Sequence, residues 1–214
     1  MGYEVNIKVG PQGIGASLGD GSLVDPYAGK QAQTMVQDFG PRYAEVGYRG
    51  LAFCGCNQAS QAISSLNTTA TGLILINPLG SGKNLWVIDI AIAESAAITS
   101  VVPAVGLAAN VVPVALTSYT LTTPLTIQPT LLGSVSNSVA RLCSAATLPS
   151  TPVYVRSIWG AIDFGTAPGN GSPNPYVRDE VAGAIGVSPG CSISLSATAA
   201  ISLISSITWL ELPV

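Results

Sequence analysis

The chain has 214 residues, of which only 9% are Asp, Glu, Lys or Arg, and it contains no histidine. An ordinary soluble domain carries about 25% charged residues, so much of this surface is neutral or apolar, which indicates that other protein covers part of it. A net charge of −3 with eight scattered cations argues against direct nucleic-acid binding, because phosphates require a basic stripe. Without histidine, Ser-His and Cys-His nucleophile pairs cannot form within one chain.

The first 45 residues are predicted to form an extended N-terminal arm. Residues 10–29 contain eight Gly or Pro residues, which is too many for a packed helix or strand of any length. A short strand over residues 5–9 and one or two helical turns over residues 30–38 are the expected exceptions. Asp20 and Asp25 lie in this arm, but their spacing matches no calcium-binding loop. We expect the arm to grip a neighbouring subunit.

Residues 46–214 are predicted to form one β domain, because short β-branched runs alternate there with turn signals. Turns are expected at Asn77-Pro78-Leu79-Gly80-Ser81-Gly82 and at Ser188-Pro189-Gly190. No helical pattern separates the runs, so their spacing favours an antiparallel sandwich or barrel over a βαβ array. The predicted strands are residues 46–53, 72–76, 85–93, 97–102, 111–121, 125–132, 153–159, 181–187, 192–197 and 204–212.

Two of these runs, residues 86–93 and 111–116, are apolar at nearly every position. A strand whose outer face meets water alternates apolar and polar residues, whereas a continuous apolar run indicates that both faces are covered. In a chain without covering helices, we expect subunit contacts to do this, and hence a homo-oligomer. A membrane span is not expected, because the best apolar window, residues 96–116, contains Pro103 and Pro113 and lacks flanking basic clusters.

The four cysteines do not form a recognisable disulfide framework or metal site. Cys54 and Cys56 are separated by one residue, which is too close for a CxxC redox or zinc motif, and no second close pair accompanies them. Cys54, Cys56, Cys143 and Cys191 are therefore predicted to be buried free thiols.

Three motifs invite a catalytic interpretation and do not support it. Gly80-Ser81-Gly82-Lys83 matches the end of a P-loop, but Asn77 and Asn84 replace the first glycine and the hydroxyl residue. We therefore expect a β-hairpin turn, with Lys83 as a solvated or interface cation. Asp179 and Glu180 are adjacent on a predicted strand, so their side chains point to opposite faces, and a solvated or inter-subunit ion pair is expected there. Asp163-Phe164-Gly165 matches the kinase magnesium triplet in letters only.

No catalytic residue, cofactor or metal ligand is therefore predicted, and we do not expect an enzyme. The Gly- and Pro-rich residues 165–175 are predicted to form a long exposed loop. Such a loop is either a recognition element or a plain connector.

Two stretches resemble a recurrent class of virion proteins from tailed bacteriophages. The first runs from Arg49-Gly50-Leu51-Ala52-Phe53 through residues 71–85, with the Asn-Pro-x-Gly-Ser-Gly-Lys turn between two strands. The second covers residues 186–195 and 207–214, with a Pro-Gly turn and a closing Trp-x-Glu strand. The resemblance implies an all-β sandwich of jelly-roll type, often trimeric, that decorates capsids or builds spikes and fibres. It brings no catalytic residues with it.

The predicted function is that of a non-enzymatic structural protein of a virion. Capsid decoration, or cement, is the first choice, with a homotrimer that contacts other virion proteins such as the major capsid protein. A tail, spike or fibre component that contacts the host is the alternative. A carbohydrate-binding module is a second alternative, and it would use exposed aromatic side chains such as Trp86, Trp159, Tyr154 and Tyr176. Trp209 is instead predicted to anchor the core.

Overall fold

The computed structural model describes residues 43–63, 65–95, 104–160 and 176–214, which belong to one compact unit, Tyr43–Val214. Several predictions fall on residues outside these ranges and remain predictions. They concern the arm up to residue 42 with Asp20 and Asp25, the strand over residues 97–102, the Asp163 triplet and the loop over residues 165–175.

The described residues contain one short α-helix, one 3₁₀ turn at Leu116–Ser118 and twelve strands. In chain order they are α1 (Ala44–Tyr48), β1 (Ala52–Cys56), β2 (Gln61–Ile63), β3 (Thr69–Ile76), β4 (Lys83–Glu94), β5 (Ala104–Asn110), β6 (Thr120–Leu121), β7 (Gln128–Pro129), β8 (Arg141–Thr147), β9 (Val153–Gly160), β10 (Tyr176–Val187), β11 (Ser192–Ala197) and β12 (Ile201–Pro213).

The strands form two antiparallel sheets packed against each other. Sheet 1 has the order β10-β4-β12-β1-β7, with β2 also paired to β12. Sheet 2 has the order β6-β8-β3-β11-β5-β9. The predicted all-β antiparallel sandwich is therefore confirmed. The strands predicted over residues 72–76, 85–93, 153–159, 181–187, 192–197 and 204–212 all lie within observed strands.

The main core lies between the two sheets. It contains the inward-facing residues of every long strand, among them Leu75, Ile90, Leu107 and Trp209. Strand β4 shows how this works, because Leu85, Val87, Ile90 and Ile92 are buried while the residues between them are mostly half-exposed. The outer side of β4, which the sequence predicted to be covered, therefore has no covering layer among the described residues.

A second apolar cluster lies on the outer face of sheet 2. Ile74, Ile76 and Cys143 are fully buried there, and Val114, Leu116 and Leu121 pack against this cluster. Residues 114–121 thus form a layer over β3 and β8. The continuous burial of residues 73–76 in β3 comes from the chain itself and not from a neighbouring subunit.

The predicted strand over residues 111–121 is wrong except for Thr120–Leu121, which form β6. Val111 and Val112 are 62% and 66% exposed, and Pro113 has no N–H for a ladder. The segment instead crosses the end of sheet 2, where the Val114 amide donates to the Gly190 carbonyl, and continues through the 3₁₀ turn. Residues 111–116 therefore present no pair of strand faces to be covered, and subunit contact at these residues stays a prediction.

The predicted strand over residues 46–53 is also wrong in its first half, which is helical. Glu45 and Arg49 form an i,i+4 ion pair on α1. The helix ends at Tyr48 with Arg49 as its C-cap. Gly50 follows with a φ of +68°, and the amides of Gly50 and Leu51 bond back to the carbonyls of Gly47 and Val46. This is a Schellman motif, in which glycine is favoured because the left-handed conformation crowds any Cβ.

Two further differences concern weakly patterned segments. Only Gln128–Pro129 of the predicted strand over residues 125–132 pairs, with β1, and Leu131 and Leu132 are exposed. Strands β5 and β8 were not predicted because they are rich in Ala, Ser and Gly, which have low β propensity. Both form because longer neighbours, β11 and β3, supply hydrogen-bonding partners.

Candidate functional site

One end of the sandwich carries most of the exposed apolar side chains. Strand pairing places Ile76, Asn110, Ser192 and Arg141 at the same end of sheet 2, and the turn after Ile76 leads to the matching end of sheet 1. We call this the apolar end. Its exposed large hydrophobic residues are Tyr48, Leu79, Val111, Val112, Leu131, Leu132, Val135, Val153 and Val214.

The few charges at the apolar end are mostly neutralised within the chain. Glu45 pairs with Arg49, and the Lys83 Nζ lies 3.0 Å from the Glu211 Oε2. Arg141 is exposed, and its guanidinium donates to the neighbouring Ala140 carbonyl. This end therefore offers apolar contacts and little charge to a partner.

A buried carboxylate links the two stretches that carry the phage resemblance. Glu211, in the closing Trp-x-Glu strand, is 0% exposed. Besides Lys83, it accepts hydrogen bonds from Ser138 Oγ at 2.5 Å, from the Val139 amide at 3.1 Å and from the Trp209 Nε1 at 3.3 Å. These donors come from three separate segments, so the carboxylate fastens them together.

The environment of Glu211 keeps it ionised. Burial by itself raises the pKa of a carboxyl group, but the hydrogen bonds from Ser138, Val139, Lys83 and Trp209 outweigh that effect. The pKa of Glu211 is consequently lowered below its ordinary value of 4.5. A charged, fully bonded carboxylate without space for a reactant is a structural group and not a catalytic one.

Asn77 performs a similar fastening role at the predicted turn after β3. Its side-chain amide donates to the carbonyls of Lys83 and Val187, each at 2.8 Å, and its Oδ1 accepts from Ser81 Oγ at 2.7 Å. The Gly190 amide also donates to the Asn77 carbonyl at 2.7 Å. The two predicted turns thus lie side by side and hold each other.

These contacts revise the prediction for Gly80-Ser81-Gly82-Lys83. The segment is a turn, but it joins β3 of sheet 2 to β4 of sheet 1 and is therefore not a β-hairpin. Lys83 is engaged by a buried carboxylate of its own chain, so it is not a freely solvated cation. With its ammonium held by Glu211, it is not arranged to bind a phosphate.

The outward side of sheet 1 is the second candidate surface. Because side chains alternate along a strand, the neighbours of the buried Ile207, Trp209 and Glu211 point away from the core. We call this surface the outer face of sheet 1. By register it comprises Cys54, Cys56, Trp86, Asp89, Ala91, Ala93, Tyr176, Arg178, Glu180, Gly186, Ile204, Ser206, Thr208 and Leu210.

Half of the fourteen residues of the outer face of sheet 1 have small side chains, and its charges are confined to one side of the sheet. Its charged members are Asp89, Arg178 and Glu180, which lie on β4 and β10, and Arg178 is hydrogen-bonded to Asp89. The large Trp86 ring lies over Gly186, where an added Cβ would come within 2.9 Å of the ring. Glycine is therefore required at that position for the indole to lie flat on the sheet.

The predicted pair Asp179 and Glu180 does face opposite sides of β10. Asp179 forms a bidentate ion pair with Arg156 of β9, at 2.7 Å and 2.9 Å. It therefore joins the edge strands of the two sheets within one chain and is not an inter-subunit contact. The hydrogen bond and the charge of Asp179 raise the pKa of Arg156.

The four aromatic residues considered for sugar binding do not form one platform. Trp86 and Tyr176 lie on β4 and β10 of the outer face of sheet 1, in rows that pair with Gly186 and Ala93 respectively. Trp159 packs partly against the main core. Tyr154 lines a shallow groove of about 390 Å³ along β5 and β9, in which Arg156 is engaged by Asp179.

All four cysteines are free, as predicted, but only Cys143 is buried. Burial raises the pKa of the Cys143 thiol to about 12. Cys54 and Cys56 are partly exposed because they occupy outward positions of β1, and Cys191 lies at the apolar end, where its thiol donates to the Val111 carbonyl. The prediction of burial is wrong for these three.

Trp209 lies where it was predicted, fully buried and 6.2 Å from the Phe53 ring centroid. Sequence analysis missed the importance of Glu211. A signal was present, because Ile207, Trp209 and Glu211 share one parity of β12, which places the carboxylate on the core side. Its partners, Lys83 and residues 138–139, could be identified only from the structure.

No family model, curated protein or solved structure matches this chain. Residues 43–63, 65–95, 104–160 and 176–214 contain no helix long and apolar enough to cross a membrane. In that same part of the chain, no three His, Cys, Asp or Glu side chains are grouped so that they could hold a metal ion.

Proposed function

We propose that this chain is a non-enzymatic structural protein of a tailed-phage virion, and specifically a capsid decoration, or cement, protein. The observation that carries the proposal is the strand order. Taking β1, β3, β4, β5, β9, β10, β11 and β12 as strands 1 to 8, the sheets read 1-8-3-6 and 2-7-4-5. We infer from this order a jelly roll, an architecture that recurs in viral capsid proteins and lectins.

The surfaces of the domain support an assembly role. The apolar end exposes nine large hydrophobic residues, and an exposed apolar region of this kind is typical of a protein–protein contact. We propose that it faces other virion proteins, such as the major capsid protein. The arm over residues 1–45 is proposed to act as a clasp on a neighbouring subunit.

The function is tested by locating the chain in a particle. Cryo-electron microscopy of virions produced by cells that encode this chain is expected to show its jelly-roll density on the outside of the capsid shell, with the apolar end against the shell. Density at the tail, spike or fibre would favour the alternative role within the virion. Absence of the chain from purified virions, measured by mass spectrometry, would overturn the proposal.

Self-association is expected to yield a trimer that resists salt. Four of the five described cations, Arg49, Lys83, Arg156 and Arg178, each pair with a carboxylate of their own chain, so we expect ion pairs to contribute little to the contacts between copies. Multi-angle light scattering should give three times the 21.7 kDa of one chain. This mass should persist from about 0.05 to 1 M salt, although the Debye length falls to about 3 Å.

The trimer is also expected to be insensitive to pH between about 5.5 and 8, because the chain has no histidine to titrate in that range. Dissociation by salt alone would contradict assembly through non-ionic contacts. A monomer at micromolar concentration would contradict self-association itself.

Carbohydrate binding is the second candidate, since jelly rolls also occur in lectins. The separated positions of Trp86, Trp159, Tyr154 and Tyr176 do not favour it. Binding of the purified chain to a glycan array would support this candidate in place of the structural role.

A further inference from the structure

The two sheets differ in how far the described residues cover their outer faces. On sheet 2, residues 114–121 of the same chain cover β3 and β8 and bury Ile74, Ile76 and Cys143. On sheet 1, the described residues place no second layer over β4 and β12, and Ile204 is 42% exposed. Among the described residues, the outer face of sheet 1 thus has no covering layer comparable to that of sheet 2.

The size of this face suits association between proteins. Strands β4, β10 and β12 have 12, 12 and 13 residues, and at about 3.4 Å per residue and about 4.8 Å between strands they span about 600 Å² in plan. The accessible area exceeds the plan area because side chains make the surface uneven. A stable interface buries about 800 Å² on each partner.

The chemistry of the face favours a second copy as the occupant. From β12 to β1 it presents Ser206, Thr208, Leu210 and two thiols, without charge. On β4 and β10 the Asp89 carboxylate already has Arg178 as its partner, so a neighbour need not supply the opposite charge. A second copy, in which only 9% of the residues are charged, supplies an uncharged surface of the same kind from its own β12 and β1.

Association through a sheet edge is blocked on both sides of sheet 1. At β10 the pairing register shifts between Glu180 and Ile185, where Ala182 and Gly183 have φ of +53° and +79°. A bulge of this kind twists an edge away from further pairing. At the other edge, β7 has two residues, which is too short to template a new strand.

We propose that the outer face of sheet 1 is the surface through which copies of this chain associate. This inference rests on the self-association in the proposed function and not on a location in a virion. It assigns the apolar end to a different partner, so the two surfaces are separable by experiment.

The cysteines provide the test, because they report on different surfaces. Cys54 and Cys56 lie on the outer face of sheet 1, Cys191 lies at the apolar end, and Cys143 is buried under residues 114–121. The full chain is treated with N-ethylmaleimide at concentrations above and below association, and the modification of each thiol is timed by peptide mass spectrometry. Comparing each thiol with itself removes differences in intrinsic reactivity.

We expect association to slow the modification of Cys54 and Cys56 by about tenfold or more, because a thiolate must be accessible to react, and to leave Cys191 unchanged. A trimer in which Cys54 and Cys56 react as fast as in the dissociated chain would overturn this inference while leaving self-association intact. A chain that never associates would overturn self-association as well.

A pair of matched variants gives an independent readout. Ser206→Arg places an unpaired charge in the centre of the face, next to Ala91 and Cys56, and should raise the dissociation constant by about 100-fold. Ser136→Arg puts the same side chain on an exposed site of the apolar end. It should leave the mass of the assembled protein, measured by light scattering, unchanged. The opposite pattern, with only Ser136→Arg dissociating, would overturn the inference. If Ser206→Arg does not fold, the labelling of Cys54 and Cys56 in the natural chain still tests whether this face is the association surface.

Discussion

Replacing Trp209 with alanine is expected to lower the free energy of unfolding by about 3–5 kcal/mol, as large aromatic truncations in cores do. The indole is fully buried and packs beside Phe53. Its Nε1 also donates to Glu211, so the variant loses packing and weakens the support of a buried charge. Urea unfolding followed by circular dichroism measures the effect.

Leu210→Ala is the matched control for Trp209→Ala. Leu210 is the next residue of β12 but points to the outer face of sheet 1 and is only half-buried. Leu210→Ala should lower the free energy of unfolding by clearly less than Trp209→Ala. Both variants are compared at a protein concentration where the chain is dissociated, because association adds stability by mass action. A loss below about 1 kcal/mol for Trp209→Ala would contradict its assignment to the core.

Replacing Lys83 with methionine is expected to lower the free energy of unfolding at pH 7 by about 3 kcal/mol, because it leaves a buried carboxylate without its cation. Glu211 is 0% exposed, whereas the Lys83 side chain is 25% exposed. Most of the expected loss of stability therefore comes from the Glu211 carboxylate, which stays in the interior without its cation. The partly exposed Lys83 ammonium contributes much less, because water already reaches it.

The cost of Lys83→Met should shrink as the pH falls. The pKa of Glu211 is lowered in the folded chain, so its ionised form stabilises the fold above the ordinary value of 4.5, and that stabilisation is lost as the pH drops through the folded pKa. Once protonated, the carboxyl group no longer needs a cation. Urea unfolding of both chains at pH values on either side of 4.5 measures this.

The double variant Lys83→Met with Glu211→Gln is the control for the ion pair. Because both charges are removed together, it should recover part of the stability that Lys83→Met alone loses. A cost of Lys83→Met that stays constant with pH, or a double variant with no recovery, would show that Lys83 acts through packing alone.

Turn chemistry was the most reliable guide to this fold. The turns around Asn77 and Gly190 lie where they were predicted because their Pro, Gly and Asn residues require specific backbone conformations. The same residues do not reveal which strands a turn connects. Turn residues therefore predict a hairpin after β3, although this turn crosses between the sheets and brings Asn77 next to the carbonyl of Val187.

The origin of burial was harder to predict than burial itself. The apolar residues of β3 do require a cover on both faces, but a sequence pattern cannot tell whether a neighbouring subunit or a later part of the same chain supplies it. Here residues 114–121 supply it for sheet 2. The outer face of sheet 1 could be located only after the register of β12 against β4 and β1 was known.

The central position of β12 in sheet 1 has a consequence for the order of folding. Strand β12 pairs with β1, β2 and β4, and its partner Ala52 is separated from Leu210 by almost the whole domain. Closing such a long loop is slow, so the domain should fold on the millisecond-to-second scale typical of non-local β pairings. Until β12 has been synthesised and pairs with them, β1 and β4 have no common neighbour, so we expect the partly folded chain to be most prone to aggregation at this stage.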